Sequence, residues 1–205
     1  MSQINVNKVI SPTQAAGSGP AIEIASNGNM SLDTDTVFVD STNNRLGIGT
    51  ATPNRTLDIQ QPGGLSFNAG VMFEGCNITG TGLSSTASHS VENDIARYYN
   101  VAASGNWTYN IRWSSGTSLN DKMNTGETIN LSYITGVGAS SYYQSGFQID
   151  GSAKTVYWTD DLPPAQGGGD PGPATTGFDV YSFAINKNGS NSYYVLGSHT
   201  HFGSF

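Results

Sequence analysis

The stretch Asp40–Ile59, DSTNNRLGIGTATPNRTLDI, decides how the rest of the chain is read. Two glycines, Gly47 and Gly49, stand one residue apart beside threonines and a proline, which suggests a phosphate-cradling loop. A dinucleotide fingerprint needs glycine at its first, third and sixth positions and then a helix. Here the sixth position is Thr52, and Pro53 and Asn54 occupy the place where the helix would run. A Walker loop needs Gly-Lys-Ser/Thr, and no lysine lies between Lys8 and Lys122. The stretch therefore reads as architecture. Gly47 and Gly49 dispense with Cβ atoms where backbones crowd or φ becomes positive.

Working outward, the apolar runs VFV, RLGI and TLDIQ are expected as short strands of a collar over residues 37–62, with turns at Asn43-Asn44 and Thr52-Pro53-Asn54. Three such strands do not make a stable sheet alone, so the segment points to oligomerisation. Residues 1–36 are mostly polar, with apolar fragments (Val9-Ile10, then Ile22 and Ile24) too short to bury themselves. They are expected as an extended anchoring arm that needs a partner surface. Gln61-Pro62-Gly63-Gly64 reads as a linker.

From Leu65 to Phe205 the strand patterns lengthen. WTYNIRW alternates, with Trp107, Tyr109, Ile111 and Trp113 on one face and Thr108, Asn110 and Arg112 on the other. ETINLSYIT repeats the pattern through Ile129, Leu131 and Tyr133, and FDVYSFAI and SYYVLGS follow as strands. One helical turn capped by Ser118 is expected in GTSLNDKMNTGE, and TDDLPPAQGGGDPGPATTG is expected as a loop. SVENDIARYYNVA fits a helix or a strand. Closely spaced strands with turn punctuation predict an all-β chain whose 65–205 segment is a β-sandwich of jelly-roll type.

Composition narrows the function. The 205 residues carry 8 basic and 15 acidic side chains, a net charge of −7, which argues against nucleic-acid or anionic-membrane binding. Cys76 is the sole cysteine, so no intrachain disulfide forms. The N-terminal residues show no signal-peptide pattern and no segment is apolar enough to span a bilayer, which implies synthesis in a cytoplasm.

NNRLGIGTATPNRTLDI resembles a segment of tail-fibre and related structural proteins of tailed phages. The resemblance rests on Asn44, Arg45, Leu46, Gly47, Ile48, Gly49, Thr50, Pro53, Leu57 and Asp58. It implies short strands from three chains wrapped about a common axis. Leu46, Ile48, Leu57 and Ile59 would face that axis, and Gly47, Gly49 and Pro53 would shape the collar. A second resemblance covers more chain. Ser118-Leu119, Met123, Thr125-Gly126-Glu127, Ile149-Asp150-Gly151, Trp158, Pro163-Pro164 and Gly177–Phe183 are similar to the C-terminal β domain of virion proteins from marine and freshwater phages, cyanophages especially. Fibre proteins often repeat the GIGT segment in tandem, and here it occurs once, which favours a short fibre or a decoration protein.

His199 and His201 alternate on an expected strand and share a face. On a threefold axis they would bring six imidazoles together, a donor set for an octahedral transition metal such as iron, as His-x-His pairs do in some phage fibre tips. The competing reading is an exposed chain end. His89 has no partner in sequence. Asp33, Asp35 and Asp40 lack the glycine and glutamate of an EF-hand loop and read as turn carboxylates. Asp160-Asp161 are adjacent and do not form a glycosidase pair. No Ser-His-Asp set stands out, and no cofactor is expected beyond the metal at the trimer axis. In the doublets Tyr98-Tyr99, Tyr142-Tyr143 and Tyr193-Tyr194, one ring is expected to face the core and the other outward, at an interface or on sugars of a host surface. Tyr142 and Tyr143 are the glycan contacts expected of a fibre tip.

The sequence thus leads to a homotrimeric, non-enzymatic virion structural protein of a tailed phage. Its arm would dock on other virion proteins. The alternative is a receptor-binding tip that recognises host surface glycans.

Overall fold

The computed structural model describes residues 8–9, 22–32, 36–60, 74–136, 142–159, 163–164 and 177–203. The expected linker 61–64, Asp33, Asp35, Asp160-Asp161, most of the Gly/Pro-rich loop and most of the arm lie outside these residues. The described residues are all-β apart from one helical turn, and the chain divides into two compact units, Met1–Val71 and Met72–Phe205.

The first unit holds a sheet of six strands in chain order: β1 (Lys8–Val9), β2 (Ile22–Ile24), β3 (Met30–Leu32), β4 (Val37–Asp40), β5 (Arg45–Ile48) and β6 (Leu57–Ile59). β1 to β5 form an antiparallel meander and β6 joins β5 in parallel. The arm fragments Lys8–Val9, Ile22–Ile24 and Met30–Leu32 and the collar strands therefore pair in one sheet. Both expected turns are present. Residues 41–44 link β4 to β5, with Asn44 at a φ of 54°. Asp40 accepts from the Thr42 and Asn43 amides at 3.0 and 3.1 Å, so it is a turn cap.

The second unit is two packed sheets. One carries β8 (Ser85–Ser90), β10 (Trp107–Arg112), β12 (Gln144–Ile149) and β13 (Ser152–Ala153), in the order β13-β12-β10-β8. The other carries β7 (Cys76–Thr79), β9 (Ala96–Tyr99), β11 (Thr128–Gly136), β14 (Val156–Trp158), β15 (Phe178–Gly189) and β16 (Ser192–Phe202), in the order β14-β16-β15-β11-β9-β7. From β7 to β12 the chain alternates between the sheets, so each strand returns parallel to the one two before it. β8, β10 and β12 are mutually parallel, as are β7, β9 and β11. A parallel pair needs a long crossover, and here the strand in the opposite sheet provides it. This winding departs from the antiparallel jelly roll expected from strand spacing, because spacing does not report which sheet each strand joins. Antiparallel pairing in this unit is confined to β12 with β13 and to β15 with β11 and β16, while β14 joins β16 in parallel.

Alternation builds the core as expected. Trp107, Tyr109 and Ile111 from β10 meet Leu131 and Tyr133 from β11 and Tyr181, Phe183 and Ile185 from β15, all buried. Tyr109 stacks on Tyr133 with ring centroids 4.1 Å apart, and Phe147 meets Phe183 at 4.7 Å. Buried aromatics contribute large apolar areas plus roughly 0.5–1.5 kcal/mol per ring pair. SVENDIARYYNVA resolves as a turn followed by β9, and the turn α1 (Leu119–Lys122) is capped by Ser118 as expected. Asp150 adds a second cap, accepting from the Leu119 and Asn120 amides at 2.7 and 3.0 Å.

Candidate functional site

The site that carries the strongest signal is the GIGTATP crossing between β5 and β6. Register places Met30, Val39, Leu46 and Leu57 in one transverse row, and Leu32, Val37, Ile48 and Ile59 in the next. Both rows lie on the same face, and none of these side chains is buried; Leu57 is 51% exposed and Ile59 40%. The opposite face carries Ser31, Phe38, Gly47 and Asp58. There the crossing, residues 49–56, folds back over the sheet. Arg45 donates to the Pro53 carbonyl at 2.8 Å, and Asp58 accepts from the Asn54 amide at 2.8 Å. Thr50 and Pro53 of the crossing and Asp58 on the sheet below it are buried.

This geometry sorts the expected collar residues into two groups. Leu46, Ile48, Leu57 and Ile59 share the uncovered aliphatic face. Gly47, Gly49 and Pro53 belong to the covered side, and what fixes them is the chain's own loop. A Cβ on Gly47 would meet the Thr50 carbonyl oxygen, and Gly49 sits at a φ of 74°. Within the chain, Gly47 thus relieves crowding by the crossing itself, and Gly49 supplies a positive φ.

His199 and His201 do share a face, on β16, but it is the inner face of their sheet. Asp179, opposite His201 on β15, accepts from His201 Nδ1 at 2.8 Å. His199 Nε2 lies 3.4 Å from the other Asp179 oxygen, outside hydrogen-bond geometry, and its ring stacks on Tyr181 at 4.6 Å. The pair therefore meets a carboxylate of its own chain, which sequence spacing left out. The Nε2 atoms of both histidines are buried without a hydrogen-bond partner. Among the described residues no three His, Cys, Asp or Glu side chains are arranged to hold a metal ion.

His89 is the residue that sequence reasoning missed. It is fully buried on β8, and its Nδ1 faces the Tyr133 hydroxyl across the two sheets. Its Nε2 lies 2.8 Å from both the Asp94 carbonyl and the Asp94 carboxylate. A carbonyl only accepts, so Nε2 carries the proton and Nδ1 accepts from Tyr133. Asp94 in turn receives two bonds from Arg97, at 3.2 and 2.9 Å. Burial, and then the Arg97 charge, push the His89 pKa below its ordinary value. Burial holds the Tyr133 hydroxyl well above its own, so it keeps its proton. The chain Tyr133–His89–Asp94–Arg97 ties both sheets to the 91–95 turn.

Tyr142 packs against the core, while Tyr143 lines a recess of about 240 Å³ with Gln144, Lys154, Trp158 and Pro163-Pro164. Both tyrosines are half-buried. Comparison with known proteins returns no matching family, no similar curated protein and no matching solved structure. No helix among the described residues is long and apolar enough to cross a membrane.

Proposed function

We propose that this chain is a non-enzymatic structural protein of a tailed-phage particle, a short homotrimeric fibre or decoration protein on the capsid or tail surface. The observation that carries the reading is the aliphatic face of the first unit, formed around a segment that resembles those of tail fibres. Rows of Met, Val, Leu and Ile left uncovered on a sheet of two- to four-residue strands are costly in a lone chain. Burying them against the same face of other copies returns about 25 cal/mol per Å². The mechanism is mechanical: shared burial locks three chains together, and the N-terminal residues dock on another virion protein. The protein is made in the host cytoplasm and ends up in the virion.

The test is the mass of the purified chain by sedimentation velocity and native mass spectrometry, followed by antibody labelling of intact particles. A trimer that labels on the head or tail is the expected result. A stable monomer at micromolar concentration overturns the collar, and unlabelled particles overturn the virion role.

A second reading, a tip that binds host glycans, is favoured by the Tyr143 recess. Tyr143→Ala would then abolish binding on a glycan array and leave the oligomer intact. Absence of any glycan binding ends this reading and leaves the structural one.

A further inference from the structure

The outer face of the six-stranded sheet in the second unit bears on how copies associate. Along β7, β9, β11, β14, β15 and β16, every second residue points away from the core. None of these outward residues is Asp, Glu, Lys, Arg or His, and none is buried. The face carries a row of Ile78, Tyr98, Ile134 and Val180 across four strands. Phe178 and Phe202 pair beside it, and Tyr157 pairs with Leu196 toward the other edge. Ile78 is 65% exposed, Leu196 56% and Phe202 55%. Between these apolar ends runs a trough of about 470 Å³ lined by Asn130, Ser132, Ser182 and Ser198.

A solvated sheet face normally carries charge for solubility, and loss of charge with enrichment in aromatics marks the centre of an interface. Six strands of this length cover on the order of 600 Å² in projection. A standard interface buries about 800 Å² per partner, so the face is of the right order for one. The charge balance points to the occupant. The chain carries −7, so two copies repel wherever charged surfaces meet. They approach with least cost through a face that has no charge. We infer that this outer face seats a second copy of the chain, so that the sandwich units associate through it in addition to the collar. The inference rests on the homo-oligomeric reading above and adds a separate interface to it.

Ser132, exposed at the middle of the face on β11, is the reporter. In full-length chain with Cys76→Ser, the alkylation rate of Ser132→Cys by iodoacetamide is compared with that of Ser115→Cys in an exposed loop. The expected result is at least tenfold slower labelling at 132. Adding Leu196→Lys should restore the rate, because a buried lysine opposes the contact while its exposed position leaves the fold intact. If the chain is oligomeric and both thiols react equally fast, this interface is refuted and the collar stands. If the chain is monomeric, both fall. Slow labelling at 132 that persists with Leu196→Lys in a chain of unchanged mass also refutes it, since the protection would then be intrinsic to the monomer.

Discussion

Gly47 lies beneath the main chain of Thr50: a Cβ built on Gly47 would stand 2.3 Å from the Thr50 carbonyl oxygen. The neighbouring atom is backbone, held in place because Thr50 is buried and its hydroxyl accepts from the Thr52 amide at 3.2 Å. Nothing flexible can yield, so Gly47→Ala must lift the whole crossing off the sheet. The expected cost exceeds about 1 kcal/mol, as for alanine placed where the native backbone cannot accept it. Gly49→Ala strains φ and costs of order 1 kcal/mol or more. Urea titrations of the two variants check this, with Gly47→Ala the less stable. Equal stability of Gly47→Ala and the parent would mean that the crossing does not pack as described.

Leu57 and Ile59 report on the uncovered face. Both are exposed and lie in register with Leu46 and Ile48, so lysine at either position leaves the single-chain packing largely untouched. The double variant Leu57→Lys/Ile59→Lys is expected to shift the assembly toward monomer by tenfold or more in dissociation constant, read by sedimentation equilibrium. Residues 1–64 expressed alone, at dilution below self-association, are expected to remain unfolded, since a monomer keeps its aliphatic rows in water. A well-dispersed NMR spectrum from that monomeric fragment would refute this.

Some of the architecture was legible from period alone. Trp107, Tyr109 and Ile111, and Ile129, Leu131 and Tyr133, declare their buried face by alternation, and each of these strands stands where the pattern put it. Ser118 announced α1 by its capping position. The order of the strands was not legible, because pairing partners are set by which sheet each strand enters, and β7 to β12 alternate between sheets without any local sequence mark. His89 looked solitary because one partner, Tyr133, is 44 residues away and the other, Asp94, meets it only through the turn after β8. Asp179 is likewise 22 residues from His201, and only the β15/β16 hairpin brings them together. The two apolar faces were half legible. Leu46, Ile48, Leu57 and Ile59 advertise one by spacing, whereas the other is marked by the absence of charge across six strands, which no single segment displays.

Asp179 is the acceptor that His201 uses and the nearest charge to His199. Asp179→Asn retains the shape and replaces a charge-assisted bond with a neutral one, at an expected loss of about 1–2 kcal/mol in thermal or urea unfolding. Asp179→Leu removes the acceptor entirely, leaves a buried imidazole N–H unpaired and is expected to cost more than the asparagine variant. Indistinguishable stability of all three chains would mean that the histidine pair is not anchored by this carboxylate.

His89 gives the fold a defined response to acid. Burial, reinforced by Arg97, depresses its pKa in the folded chain, while the unfolded chain titrates near the ordinary value of about 6.5. Below that pH the unfolded state takes up a proton that the folded state refuses. The stabilisation from a neutral His89 is therefore complete above about pH 6.5 and is lost as pH falls toward the folded pKa. The slope contributed by this one group is at most about 1.4 kcal/mol per pH unit. A variant without the ring isolates the effect of this one group. His89→Gln offers an amide donor toward Asp94 and a carbonyl acceptor toward Tyr133 without a titrating ring. It should be less stable at pH 8, by about 1–3 kcal/mol. Its loss of stability between pH 7 and pH 5 should also be shallower than that of the parent. Tyr133→Phe removes the donor to Nδ1 but keeps the imidazole, so its acid slope should remain. Parallel stability–pH curves for the parent and His89→Gln would show that His89 binds protons equally in both states and that its burial does not govern the acid response.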